Sequence, residues 1–106
     1  MFERVCNIND ITPNAGGNIQ MNNGTQIAVF RVERKVYAVG ALDPFTNSNT
    51  ISRGLVGDQD GEPFVAAPIY KQRFSLVTGQ CLSDPGFSIP IYNIEADNTG
   101  ALYIEY

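Results

Sequence analysis

The residues that could do chemistry in this chain are few, and the one most often used for proton transfer is missing altogether. The 106 residues contain no histidine and two cysteines, Cys6 and Cys81. A reactive thiolate needs a neighbouring histidine or a strongly cationic setting, so both thiols read as small apolar side chains. Ser52, Ser75 and Ser83 lack a histidine base for the same reason. Asp58, Asp60 and Glu62 form the one carboxylate cluster. A solvated turn accounts for them, and their spacing does not complete a calcium-binding loop. No P-loop, G-x-G-x-x-G or G-x-S-x-G pattern occurs. Direct catalysis by this chain is not expected.

Composition narrows the remaining classes. The net charge of −4 and a pI near 4.5 oppose binding to nucleic acid or to anionic membranes, which relies on lysine and arginine neutralising phosphate. No apolar run approaches the ~20 residues that span a bilayer, and Met1-Phe2-Glu3-Arg4-Val5 lacks the order of a signal peptide. The expectation is a cytoplasmic protein with two free thiols, since two cysteines are too few for a disulfide framework. Asn23-Gly24-Thr25 matches a glycosylation sequon but reads better as a hairpin turn. The length suits one domain, residues 1–106.

The elements that must position any site are strands. Thr25 to Val32 and Lys35 to Val39 are rich in β-branched and aromatic residues. Only Glu33 and Arg34 separate them, which predicts a tight hairpin. Gly17 to Met21 leads through Asn22-Asn23-Gly24 into a second hairpin. Pro63 to Ala66 and Arg73 to Leu76 are short strands. Ile91 to Ala96 and Ala101 to Glu105 form a third hairpin, apolar on one face and polar on the other. No helical period persists, although a short turn is expected near Asn9-Asp10-Ile11. The fold class is therefore all-β, as stacked antiparallel sheets or a small barrel. Two stretches read as loops, Ala41 to Gly57 and Ala67 to Gln72, and long loops in a compact domain are usually functional.

Those loops carry a family resemblance. The segment Ala67-Pro68-Ile69-Tyr70-Lys71-Gln72-Arg73-Phe74-Ser75-Leu76-Val77-Thr78-Gly79 resembles the second ligand loop of a Rieske iron–sulfur domain. That family binds its cluster with a Cys-x-His loop and a Cys-Pro-x-His-Gly loop. Counted onto this chain, the ligand positions fall at Pro44 and Thr46 in the first loop and at Ala67 and Tyr70 in the second. Pro68, Phe74, Leu76, Thr78 and Gly79 keep scaffold positions, while Lys71 stands where the family has a glycine. Rieske centres use two cysteines and two histidines, and none of the four residues here can replace them. The resemblance therefore implies a Rieske-type fold with two protruding loops and no cluster.

Asp43-Pro44-Phe45, Ser52-Arg53-Gly54-Leu55, Gly79-Gln80-Cys81-Leu82 and Asp84-Pro85 extend the likeness over nearly the whole chain. They are similar to the small subunit of bacterial assimilatory NAD(P)H-dependent nitrite reductase. That family implies a non-redox subunit with no cofactor or metal of its own. It implies as partner a large subunit carrying FAD, siroheme and an iron–sulfur cluster, the two together reducing nitrite to ammonium. The volume of the lost cluster has to be refilled. Tyr70, Phe45 and Phe74 are the expected fillers, with the Tyr70 hydroxyl bonded to loop groups. Arg53, Lys71 and Arg73, three of the seven cations, lie in or beside the loops. With Phe45 and Tyr70 they form the candidate partner interface. The rival readings are a stand-alone binding module with an unrelated partner and a Rieske ferredoxin, the latter opposed by the ligand positions.

Overall fold

Antiparallel strands that alternate apolar residues must bury one face, and a strand that is apolar on both faces must lie between two layers. The computed structural model describes residues 2–33 and 35–106. It contains nine strands, β1 Phe2–Asn7, β2 Gly16–Gln20, β3 Gln26–Val32, β4 Lys35–Gly40, β5 Leu55–Gln59, β6 Glu62–Ala66, β7 Arg73–Ser75, β8 Ile91–Ala96 and β9 Ala101–Glu105. Single 3-10 turns occupy Ile8–Asp10 and Ile51–Arg53. One sheet has the order β1-β9-β8-β4-β3-β2 and the other β5-β6-β7, and every strand pair is antiparallel.

The six-stranded sheet curls around its own core. Ile27 and Val29 of β3, Ala38 of β4 and Leu102 and Ile104 of β9 pack together there with Val5, Ile19, Tyr92 and Ile94 of the other strands. Its outer strands approach each other, since the Tyr106 hydroxyl donates to Glu3 of β1 and receives the backbone N–H of Asn22. In β1 the register slips between Arg4 and Cys6, and this bulge lets both Val5 and Cys6 pack on the barrel core.

The second core lies between the two sheets. Ala28 and Phe30 of β3 and Val39 of β4 point away from the barrel and meet Val65, Phe74, Leu76 and Cys81 of the smaller sheet and its continuation. The β3–β4 hairpin is thus buried on both faces, which is why Ile27, Ala28, Val29 and Phe30 are all inaccessible. The turn between these strands begins at Glu33, in the left-handed region with φ 58°. Arg34, its expected second residue, lies outside the described residues. The Asn22-Asn23-Gly24 hairpin is as expected, with Gly24 at φ 90° and the Thr25 N–H donated to Asn23 Oδ1 at 2.9 Å.

One element departs from the sequence reading. The expected connection from Ala41 to Gly57 ends at Gly54, and Leu55–Gln59 forms β5. Its pattern is weak because Leu55 is 77% exposed and Gly57 interrupts the run. That glycine is required by packing, since a Cβ there would lie 2.5 Å from the Phe64 ring.

Two glycines separate backbone strain from packing. Gly24 and Gly79 both have positive φ, but a Cβ at Gly24 meets open space whereas one at Gly79 runs into the Ile89 carbonyl oxygen. We expect Gly24→Ala to cost about 1–2 kcal/mol, the left-handed penalty alone. Gly79→Ala should cost more than about 3 kcal/mol, because that penalty is joined by forced movement of backbone. Urea unfolding of the two variants measures the difference, and equal midpoints would contradict it.

Candidate functional site

Three segments converge at one pole of the molecule. The first follows β4. Asp43 is fully buried, its N–H donates to the Ser48 carbonyl at 2.8 Å, and its own carbonyl accepts the Asn47 N–H at 2.7 Å. Asp43 Oδ1 accepts the Phe45 N–H at 2.8 Å, so Asp43-Pro44-Phe45 folds as a short turn around its own carboxylate. Among the described residues Asp43 Oδ2 has no hydrogen-bond partner. Thr46 Oγ1 lies 2.7 Å from Ser48 Oγ, which lies 3.2 Å from Thr50 Oγ1. The expected ligand positions Pro44 and Thr46 are half-buried, and Thr46 is bonded within its own loop.

The second segment joins β6 to β7. It is closed by the Ala67 N–H donated to the Gln72 carbonyl at 2.8 Å. Ala67 is buried in the core between the sheets. Lys71, where the family has a glycine, sits in the left-handed region at φ 56°, a conformation costing a non-glycine residue about 1–2 kcal/mol. The tip of this loop points outward, with Ile69 56% and Tyr70 63% exposed. Tyr70 therefore does not fill the space of a cluster, contrary to the sequence expectation. A loop of this length, closed by its own backbone bond, turns the residues at its apex toward solvent.

A third segment, Cys81 to Ile89, to which sequence reasoning assigned no role, adds a ring to the expected Phe45 and Phe74. Bridges tie Phe74 to Cys81 and Gln80 to Ser88. Between them Asp84 Oδ1 accepts the Gly86 N–H at 3.2 Å, and the Asp84 carbonyl accepts the Phe87 N–H at 3.1 Å. This places the Phe87 ring 4.3 Å from that of Phe45, which in turn lies 6.2 Å from Phe74. Such offset aromatic contacts add about 0.5–1.5 kcal/mol per pair beyond area burial. The signal for Phe87 was present as an aromatic directly after the Asp84-Pro85-Gly86 turn.

The expected cationic group separates into two roles. Arg53 and Lys71 are exposed. Arg73 is occupied, with Nη1 2.6 Å from Gln59 Oε1 and its guanidinium 5.7 Å from the Phe64 ring centre. It braces the small sheet rather than facing outward, because its strand position puts it over β5 and β6.

The donor set does not fit an iron–sulfur cluster. Of its two thiols, Cys6 packs on the barrel core and Cys81 in the core between the sheets. Burial pushes the Cys6 thiol upward, Asp10 adds to this, and Arg4 opposes it. The Cys81 thiol lies 3.7 Å from Gln72 Oε1. Among the described residues no group of three or more potential ligands gathers. Ser75 Oγ donates to Glu62 at 2.6 Å and accepts the N–H groups of Val77 and Thr78, which makes it a turn-former. Asp58 accepts the Gly61 N–H, also as a turn residue. Since Asp43 holds Phe45 in place, Asp43→Ala should lower stability by about 1–3 kcal/mol. It should also weaken the upfield ring-current shifts of groups beside Phe45 and Phe87. Urea unfolding and proton NMR check this, and wild-type values in both would contradict it.

Comparison with known proteins agrees with this geometry. The family model described as a Rieske-like [2Fe-2S] domain matches residues 1–105. The NADH nitrite reductase small subunit of Escherichia coli K12 is 40% identical over 93 residues, 86% of this chain and 85% of that one. A stretch of the nitrite reductase [NAD(P)H] large subunit of Klebsiella oxytoca is 42% identical over 81 residues, 76% of this chain and 8% of that one. A crystal structure from Mycobacterium tuberculosis, described as an NADH-dependent nitrite reductase small subunit, superposes with a TM-score of 0.94 at 36% identity. That superposition covers 98% of this chain and 93% of the other. The ferredoxin of carbazole 1,9a-dioxygenase from Nocardioides aromaticivorans shares the fold at a TM-score of 0.82 and 19% identity, over 98% and 96% of the two chains. With the family model matching nearly its whole length and relatives at 38–40% identity over most of it, the chain belongs to the Rieske-like family and, within it, to the small subunits of NAD(P)H-dependent nitrite reductase.

Proposed function

We propose that this chain docks its loop pole on the large subunit of a cytoplasmic nitrite reductase and promotes nitrite reduction by contact alone. In this reading FAD, siroheme and an iron–sulfur cluster all reside in the large subunit, and no electron passes through the small one. The observation that carries the partnership is the Klebsiella match. There a stretch like this chain is part of the large-subunit polypeptide, 8% of its length, which supports the two units working within one assembly. Contact as the mode of action is supported by the donor set, since among the described residues no group of three or more potential ligands gathers.

At the pole, Tyr70 and Ile69 supply apolar area and Arg53 and Lys71 supply charge. Charges at the rim of an interface steer and orient a partner more than they add affinity, so Arg53 and Lys71 are suited to acidic groups on the large subunit. Reversing both, Arg53→Glu with Lys71→Glu, should weaken co-purification with the large subunit by about tenfold or more and slow association most at low salt. Unchanged association would remove this docking contact.

The activity itself is tested by nitrite-dependent oxidation of reduced nicotinamide by the large subunit, with and without this chain. We expect turnover to require the chain while the added chain is colourless and contains no iron. Equal turnover without it would contradict the proposal.

A further inference from the structure

A stable interface covers roughly 800 Å² per partner, more than the apices of two short loops offer. The surrounding surface is therefore informative. Among the described residues, nine large apolar side chains are at least 38% exposed. The strand directions place all but Val77 at one end of the molecule. β4 runs toward the loop pole, and Ile91 pairs with Val39 near its end. Glu105 pairs with Asn93 of β8, and Phe2 pairs with Glu105. The start of β1 and the end of β9 thus both point to the pole that carries the loops. Leu55 pairs with Ala66, beside the second loop. Phe2, Leu42, Leu55, Ile91 and Tyr106 therefore lie at the same pole as Ile69, Tyr70 and Phe87. Exposed apolar side chains gathered at one pole mark an interaction surface.

Within this surface lies a groove of about 490 Å³ between the first loop, the third segment and the β2–β3 turn, lined by Leu42, Pro44, Ile89, Pro90 and Tyr92 among others. It is continuous with the aromatic stack through Pro44, which precedes Phe45, and through Ser88, which follows Phe87. Pro90 packs against Gly40, where a Cβ would come within 2.8 Å of the ring, so the floor of the groove is rigid.

We infer that the large subunit covers this whole pole, from the loop apices across the groove to the outer ends of β1 and β9. The inference rests on the docking reading above and deepens it. The occupant is the large subunit because a stretch like this chain is part of a large-subunit polypeptide, and in this chain the outer strands are directed to this pole. A segment joined to either strand leaves beside the apolar surface rather than at the far end of the molecule.

The test attaches bulk after folding. In a Cys6→Ser background, which leaves only the buried Cys81, single cysteines are introduced as Leu42→Cys or Tyr106→Cys at the loop pole. Val77→Cys and Asn98→Cys serve at the opposite pole. Each is coupled to a polyethylene glycol maleimide, and binding to the intact large subunit is measured before and after coupling. Coupling at 42 or 106 should weaken binding by about tenfold or more, whereas coupling at 77 or 98 should change it by less than about twofold. Full binding after coupling at 42 and 106 overturns the inference while leaving docking through the loop apices intact, and loss after coupling at 77 and 98 overturns both. Failure of the unmodified chain to bind overturns the docking reading and the inference together.

Discussion

The loop pole depends on three phenylalanine rings. A Rieske-type fold brings two loops to one end of the molecule, and in a cluster-binding member the metal joins them. Here Phe45 from the first loop and Phe87 from the third segment stack at 4.3 Å, and Phe45 also lies 6.2 Å from Phe74 of β7. Dispersion between these rings ties the first loop to the third segment and to β7. This explains how the pole keeps its shape although Pro44, Thr46, Ala67 and Tyr70 offer no iron–sulfur ligands. It also explains why Tyr70 is free to face outward.

The scaffold beneath makes that stack possible. The β3–β4 hairpin is a shared wall, with Ile27 and Val29 in the barrel and Ala28 and Phe30 in the core between the sheets. Because β4 ends at Gly40, the first loop begins where Ala41 and Ile51 are already buried, so Phe45 starts from a fixed base. Asp43 then sets the ring's position through the Phe45 N–H. The chain from strand pairing to loop position is unbroken.

Much of this was legible in the sequence. The three hairpins follow from apolar alternation interrupted by Glu33-Arg34, Asn22-Asn23-Gly24 and Asp97 to Gly100, because register and turn chemistry are local. β5 was not legible, because Leu55 is exposed and Gly57 exists to admit the Phe64 ring, a tertiary fact with no local signature. The direction of Tyr70 and the partners of Arg73 were hidden for the same reason. Each depends on residues that meet only in the folded chain, Gln72 closing on Ala67 and Gln59 reaching Arg73. Phe87 was overlooked because its role appears only when its turn folds over Phe45.

We propose a Rieske-type fold whose loop pole is a contact surface. The exposed cations Arg53 and Lys71, the outward Tyr70 and most of the exposed large apolar side chains lie at that pole, and the opposite pole carries the β5–β6 and β8–β9 turns. Hydrogen–deuterium exchange of this chain, alone and bound to the large subunit, tests that claim most directly. The account predicts that protection on binding concentrates in residues 41–55, 67–72 and 83–92. Protection confined to the opposite pole, around residues 58–61 and 97–100, or the absence of any protection, would contradict it.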